Sequence, residues 1–272
     1  MIIDTHTHFG DPSRPNALLY RTAMPDAYKA LAIPEGVTGT VVVEAQLGIA
    51  EIQWTLDLAA NDPFIVGFVA DIDPYSKDFA RHLGRAAENP ILSGIRVHTL
   101  KHRDAEMRSL FFESIEGLAA RDLELDVHVG YDEFEPMFDL ARRLPDLRMV
   151  INHIGEGRPI NGETPNPLWT ERMRMAARYS RVSCKVSALV QMTGLRPAPA
   201  DVEFYRPTLD VLWDAFGEDR LIYGSNWPQI EAVTNFATAQ RIVASYFEGK
   251  GGEASEKFFW KNAKAAYRYV ER

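Results

Sequence analysis

Short runs of β-branched and aliphatic residues alternate along this chain with longer stretches whose apolar positions recur every three to four residues. A period of two predicts strands and a period near 3.6 predicts helices. The strand candidates are 2–8, 39–45, 64–70, 92–98, 123–129, 148–154, 182–188 and 220–226. Helix-like segments such as 48–60, 77–88, 106–121, 133–143, 168–179 and 203–216 lie between them. Roughly eight strand-then-helix units predict a (β/α)8 TIM barrel, a single α/β domain over 1–272, because parallel strands need crossover helices and eight strands close a ring. The competing arrangement is a doubly wound open sheet. Its dinucleotide-binding version is disfavoured, since no Gly-x-Gly-x-x-Gly follows the first strand. Three connections rich in Pro and Gly, 9–25, 155–168 and 188–202, each follow a strand and so belong at the C-terminal face. Leu18, Tyr20 and Trp169 are expected to pack over that mouth.

Strand phase then predicts what points inward. On 123–129, Leu123, Leu125, Val127 and Val129 face the helices, which leaves Glu124, Asp126 and His128 inside. On 92–98, Ile95 and Val97 face out, while Gly94, Arg96 and His98 face in. Cys184 and Val186 face out, and Ser183, Lys185 and Ser187 face in. The same alternation puts Asp4, His6 and His8 on one face of the first strand, with Ile3, Thr5 and Thr7 on the other. It sends Val42, Glu44 and Gln46 inward from the second strand, groups His153 with Met149 and Ile151, and groups Asn226 with Ile222 and Gly224. Five of the seven histidines fall on this one surface, and only His82 and His102 lie elsewhere. Burying such groups without partners costs several kcal/mol each, so a metal or a polar substrate is expected to complete them.

The 272 residues, 46% of them hydrophobic and 25% charged, suit a globular protein with a full core. A net charge of −8 argues against nucleic acid or an anionic membrane as partner. One cysteine permits no intrachain disulfide, no apolar run is long enough to span a bilayer, and the N-terminus lacks the charged region of a secretory signal. A cytoplasmic location is the expectation, with a small-molecule substrate as partner and a homo-oligomer left open. No Gly-x-Ser-x-Gly elbow and no Walker loop occur.

The ordered set at the strand ends resembles the amidohydrolase superfamily, in particular its lactonase-like branch of TIM-barrel hydrolases. The residues that carry the resemblance are Ile-Asp-Thr-His-Thr-His at 3–8, Gly-Ile-Arg at 94–96, Asn-His-Ile-Gly at 152–155, Lys-Val-Ser at 185–187 and Tyr-Gly-Ser-Asn-Trp-Pro at 223–228. The resemblance implies a hydrolase that opens a small polar lactone. His6, His8 and His153 would bind one divalent ion, zinc by preference, or hold the substrate carbonyl where no metal is used. It implies catalytic roles for His153 and the last-strand position. There the family places a metal-binding aspartate that also takes a proton from water, and this chain has Asn226. An amide accepts no proton near neutral pH, so either Asp126, Glu44 or His128 takes it from a metal-bound water, or the reaction needs no base there, or the pocket only binds, and at most one ion is expected because strand four carries no lysine. Arg96, Lys185, Glu44 and Arg158 are the expected substrate contacts. Two other readings of the same site remain: metal-dependent decarboxylation of an aromatic or enol acid, and a binding protein without catalysis.

Overall fold

The computed structural model describes residues 1–14, 19, 21–44 and 48–272. Eight parallel strands follow one another around a near-closed barrel: β1 (Ile2–Thr7), β2 (Val37–Val43), β3 (Ile65–Ala70), β4 (Leu92–Val97), β5 (Glu124–Val127), β6 (Met149–Ile151), β7 (Val182–Val186) and β8 (Leu221–Tyr223). The main outer helices are α1 (Pro25–Ala32), α2 (Ile49–Asn61), α3 (Phe79–Ala86), α4 (Ala105–Ala119), α5 (Glu135–Arg143), α6 (Pro167–Ala176), α7 (Val202–Phe216) and α8 (Phe236–Glu248). Side-chain oxygens cap several of them as their sequences invite: Asp104 accepts from Met107, Asp201 from Glu203 and Asn235 from Thr238.

The seam between β8 and β1 is closed above the strands, by the segment that follows β8. Asn226 N donates to His6 O at 2.9 Å, and His8 N donates to Trp227 O at 2.8 Å. Asp4 holds the same seam, accepting from Ser225 N at 2.8 Å, His6 N at 3.1 Å and the Tyr28 hydroxyl of α1 at 2.6 Å. Its carboxylate therefore serves the backbone and α1 instead of lying one step behind the histidines.

Inside the barrel, Ile3, Val41, Val43, Val66, Val69, Val150 and Ile222 form an apolar floor layer. It is plugged by the C-terminal segment, α9 (Gly252–Glu256) and α10 (Asn262–Tyr267) joined by a wider turn over Lys257–Lys261, through Ala263, Ala266, Tyr267 and Tyr269. The outer faces of the strands, Ile95, Val97, Leu125, Val127, Cys184 and Val186 among them, pack under the helices as the alternation predicts.

Two strands depart from the expected phase, β2 by reversing it and β1 in part. On β2 it is Val41 and Val43 that face in, while Val42 packs with the outer core. Glu44 reaches the mouth because it lies one residue past the strand's end. On β1, Ile3 and His6 both reach the interior because the pairing with β2 is irregular between Asp4 and Thr7. Gln46, Leu18 and Tyr20 lie outside the described residues.

Candidate active site

Above the floor stands a column of polar side chains. Lowest are Glu124 and Asp126 of β5 and Lys185 of β7, none of them exposed to solvent. Lys185 Nζ donates to Asp126 Oδ2 at 2.9 Å, to Thr5 O at 3.0 Å and to His6 Nδ1 at 3.3 Å. Those three acceptors use all three ammonium hydrogens. Gly224 leaves the room: a Cβ there would stand 2.8 Å from His6 Cβ and 3.2 Å from Lys185 Cδ. Glu124 lies against Asp126, and burial, reinforced by that charge and by a side-chain hydrogen bond to it, pushes its carboxyl well above the usual range.

His6, His8 and His153 form the next layer. His8 Nδ1 faces the carbonyls of Val43 and Glu44 at 3.0 and 2.8 Å. Carbonyls only accept, so this nitrogen carries the hydrogen and Nε2 presents a lone pair. That lone pair faces His6 Nε2 at 3.2 Å. Lys185 donates to the other nitrogen of His6, which assigns its hydrogen to Nε2. Burial pushes all three histidines down, His8 to about 4, and the neighbouring cations lower them further.

His153 arrives by a route that alternation could not foresee. β6 ends at Ile151, and His153, Ile154, Gly155 and Glu156 all take left-handed backbone, with φ of 49°, 50°, 65° and 55°. For the three residues with side chains this conformation costs roughly 1–2 kcal/mol each. The surroundings hold it: Trp169 Nε1 donates to Ile154 O at 2.8 Å, and Ser187 Oγ meets His153 Nδ1 at 2.8 Å. The turn swings His153 off the face of Met149 and Ile151, which stay under the helices, and brings its ring 4.4 Å from that of His6. Trp169 is buried beneath this loop.

The mouth is lined by Glu44, Arg96, His98 and His128. Glu44 Oε1 accepts from Arg96 Nε and from His98 Nε2, the latter at 3.0 Å, and its buried Oε2 has no partner. Burial alone would raise Glu44, but the Arg96 guanidinium and His98 outweigh it and hold the carboxyl below its usual range. Arg96 Nη1 stands 3.5 Å from His6 Nε2. His98 and His128 face each other through their Nδ1 atoms at 3.2 Å, and His128 Nε2 lies 3.4 Å from Glu156 Oε1. With each outer nitrogen turned to a carboxylate, the Nδ1 contact is a hydrogen bond only when one ring carries a second hydrogen. Arg158, largely exposed, pairs with Glu156.

The predicted residues thus gather at one place but divide by access. Arg96 is paired with Glu44, and Lys185, sealed beneath the histidines on Asp126, reaches His6 instead of the mouth. Asp126 is enclosed with it. Asn226 is buried at the rim, where its amide donates to Gln191 Oε1 at 3.0 Å. Sequence reasoning missed Tyr267, whose hydroxyl donates to Asp126 Oδ1 at 2.8 Å, and Glu156, which sits in the strained turn. A cavity of about 340 Å³ opens on the same face, lined by Thr99, one residue past His98, with Asp73, Tyr75, Lys101, Arg103 and Met107.

As a metal centre the donor set fits only in part. Two imidazole nitrogens on one zinc, each at ~2.0–2.1 Å, stand about 3.3 Å apart, close to the 3.2 Å between His6 and His8. His8 also has the carbonyl-bound Nδ1–H of a ligand. His6 does not: its Nδ1 faces an ammonium, its Nε2 carries the hydrogen, and a guanidinium stands beside it. Among the described residues no three His, Cys, Asp or Glu side chains converge on one point. The hydrogen bonds around His6 do not fit an ion.

The family model for amidohydrolases matches residues 3–269. An L-fucono-1,5-lactonase of Burkholderia ambifaria is 30% identical over 236 residues, covering 83% of this chain and 80% of the relative. A crystal structure of an amidohydrolase from Burkholderia multivorans with bound zinc superposes with a TM-score of 0.85 at 25% identity, covering 99% of both chains. A probable 2-pyrone-4,6-dicarboxylic acid hydrolase from Acinetobacter baumannii shares the fold with a TM-score of 0.78 at 16% identity, covering 98% of this chain and 99% of that one.

Proposed function

This chain belongs to the amidohydrolase family, and from that premise we propose that it opens a small, hydroxylated, uncharged lactone of the sugar-lactone kind. One observation carries the choice of substrate. Among the described residues both buried cations of the site are neutralised from within, Arg96 by Glu44 and Lys185 by Asp126. No buried cation is left over to compensate a substrate carboxylate, and an uncompensated buried charge costs several kcal/mol. A hydroxylated ring needs only the hydrogen-bonding groups that the mouth offers. The relative named for L-fucono-1,5-lactone supports the same class, whereas a pyrone dicarboxylate would bring two charges of the wrong kind.

In this reading the lactone carbonyl oxygen shares the His6 Nε2–H with His8 Nε2, which faces it at 3.2 Å, and takes Arg96 Nη1, 3.5 Å from His6 Nε2, as its second donor. Both are aimed at the oxygen that becomes negative when water adds, and fixed donors so placed do most to lower such a barrier. His128, backed by Glu156, accepts the water's proton and returns it to the ring oxygen as the C–O bond breaks. Water and lactone then give one hydroxy acid, with nothing left over. Asn226 positions Gln191 and the rim and moves no proton. A zinc ion on His6 and His8 would polarise the same carbonyl, but the hydrogen-bond state of His6 makes it unnecessary, and no step here passes through it.

The test is product analysis on a panel of six-membered sugar lactones and aromatic acids, with and without a chelator. Ring-opened hydroxy acid formed at the same rate in chelator is the expected result. Carbon dioxide from an aromatic acid would move the assignment to decarboxylation, and loss of lactone hydrolysis in chelator would return the metal to the mechanism.

A further inference from the structure

Tyr267 belongs to the floor, at the end of the barrel away from the mouth, yet it is joined to His6 by an unbroken line of hydrogen bonds. Its hydroxyl donates to Asp126 Oδ1 at 2.8 Å, Lys185 donates to Asp126 Oδ2 at 2.9 Å, and Lys185 then reaches His6 Nδ1 at 3.3 Å. The Lys185 ammonium also stands 4.9 Å from the centre of the Tyr267 ring. We propose that Tyr267 is a positioning residue for His6, acting through Asp126 and Lys185 to fix which ring nitrogen carries the hydrogen.

The argument is one of filled valences. Asp126 takes the phenol on Oδ1 and the ammonium on Oδ2, with the protonated Glu124 carboxyl as a further neighbour, and Lys185 offers three hydrogens and has three acceptors. With the phenol on Oδ1, the ammonium is confined to Oδ2, and from there it meets Thr5 O and His6 Nδ1 together. Without the phenol, Oδ1 becomes a vacant acceptor inside a dry barrel, where an unmade hydrogen bond is costly. The ammonium then pivots toward it and away from His6 Nδ1, which leaves the 3.2 Å contact with His8 Nε2 as the one remaining hold on the His6 hydrogen. The helix that presents Tyr267 is itself clamped: Arg148 Nε donates to Ala266 O at 2.7 Å, Asn262 Nδ2 to Leu221 O at 2.9 Å, and Val270 N to Val66 O at 2.8 Å. Burial keeps the Tyr267 phenol protonated and so a donor. The C-terminal segment thereby does two things at once, sealing the floor and setting the donor at the mouth.

The consequence for turnover rests on the lactonase reading, whereas the consequence for the His6 ring does not. The test is therefore Tyr267→Phe, which removes one oxygen and keeps the packing, read by two measurements. Ring ¹⁵N spectroscopy of labelled protein, with His6→Asn to assign the signal, is expected to show His6 as the single Nε2–H tautomer in the wild type and as a mixture in Tyr267→Phe. In steady-state hydrolysis the variant is expected to lose roughly tenfold to a hundredfold in kcat, as a misplaced catalytic group does, with KM within about twofold. A His6 tautomer unchanged by the substitution overturns the proposal, and so does an unchanged kcat in an active enzyme. If the wild type opens no lactone, the assigned function fails, and the spectra alone still decide whether Tyr267 sets the His6 ring.

Discussion

Burial strips the three inner histidines of their charge, and that fixes how the protein responds to acid. Each has its folded-state pKa depressed, His8 from 6.5 to about 4. Below pH 6.5 the unfolded chain takes up protons that the folded chain refuses, so the stability these groups contribute is complete above that pH. It is lost as pH falls toward 4. For His8 alone the shift is worth roughly 3 kcal/mol. Buried Asp4 and Glu124 are raised instead and act with the opposite sign, so the histidine contribution is isolated by comparison with a variant. The difference in Tm between wild type and His8→Asn, followed from pH 7 to pH 4, is expected to shrink steadily, and a difference independent of pH would show that folding leaves the His8 pKa unshifted. At this scale His6 and His8 were legible because their spacing along one strand is itself the signal. Tyr267 was not, because an aromatic residue near the end of an amphipathic terminal helix reads as ordinary core, and nothing in the sequence says that its hydroxyl meets a carboxylate from β5.

Elements were legible where they are regular and failed where they end. The alternation on β4, β5 and β7 placed Arg96, Asp126 and Lys185 inside, while β1 and β2 slipped phase at an irregular pairing and at a strand terminus. The turn after β6 is the largest departure. Gly155 there has φ of 65°, and a Cβ on it would stand 2.7 Å from Phe134 Cζ. Gly155→Ala must move that ring or the turn, so it is expected to cost about 1–3 kcal/mol of stability and to lower turnover further by displacing His153. Chemical denaturation together with kcat measures both, and a variant as stable and as active as the wild type would show that the turn is not held in tension against Phe134.

At the scale of the whole molecule, eight repeats of one pattern were enough to give the barrel, since strand count and chain direction leave few ways to close it. Two features of that closure lay beyond the pattern. The seam is made by Asp4 and the residues after β8, and the floor is made by the last helix, which belongs to none of the eight units. Both hold the same two strands, β1 and β8, whose ends carry His6, His8 and Asn226. Asn226 is also the position where the family resemblance implies an aspartate, and the central proposal, that this barrel hydrolyses a lactone without a carboxylate there, is tested most directly at that residue. The measurement is the initial rate of ring opening of a six-membered sugar lactone by the wild type and by Asn226→Asp. The account predicts saturable hydrolysis by the wild type, abolished in His128→Ala and retained in Asn226→Asp. A wild type that binds the lactone without opening it, beside an Asn226→Asp variant that gains the reaction, would contradict the account and make this chain a binding protein on a hydrolase frame.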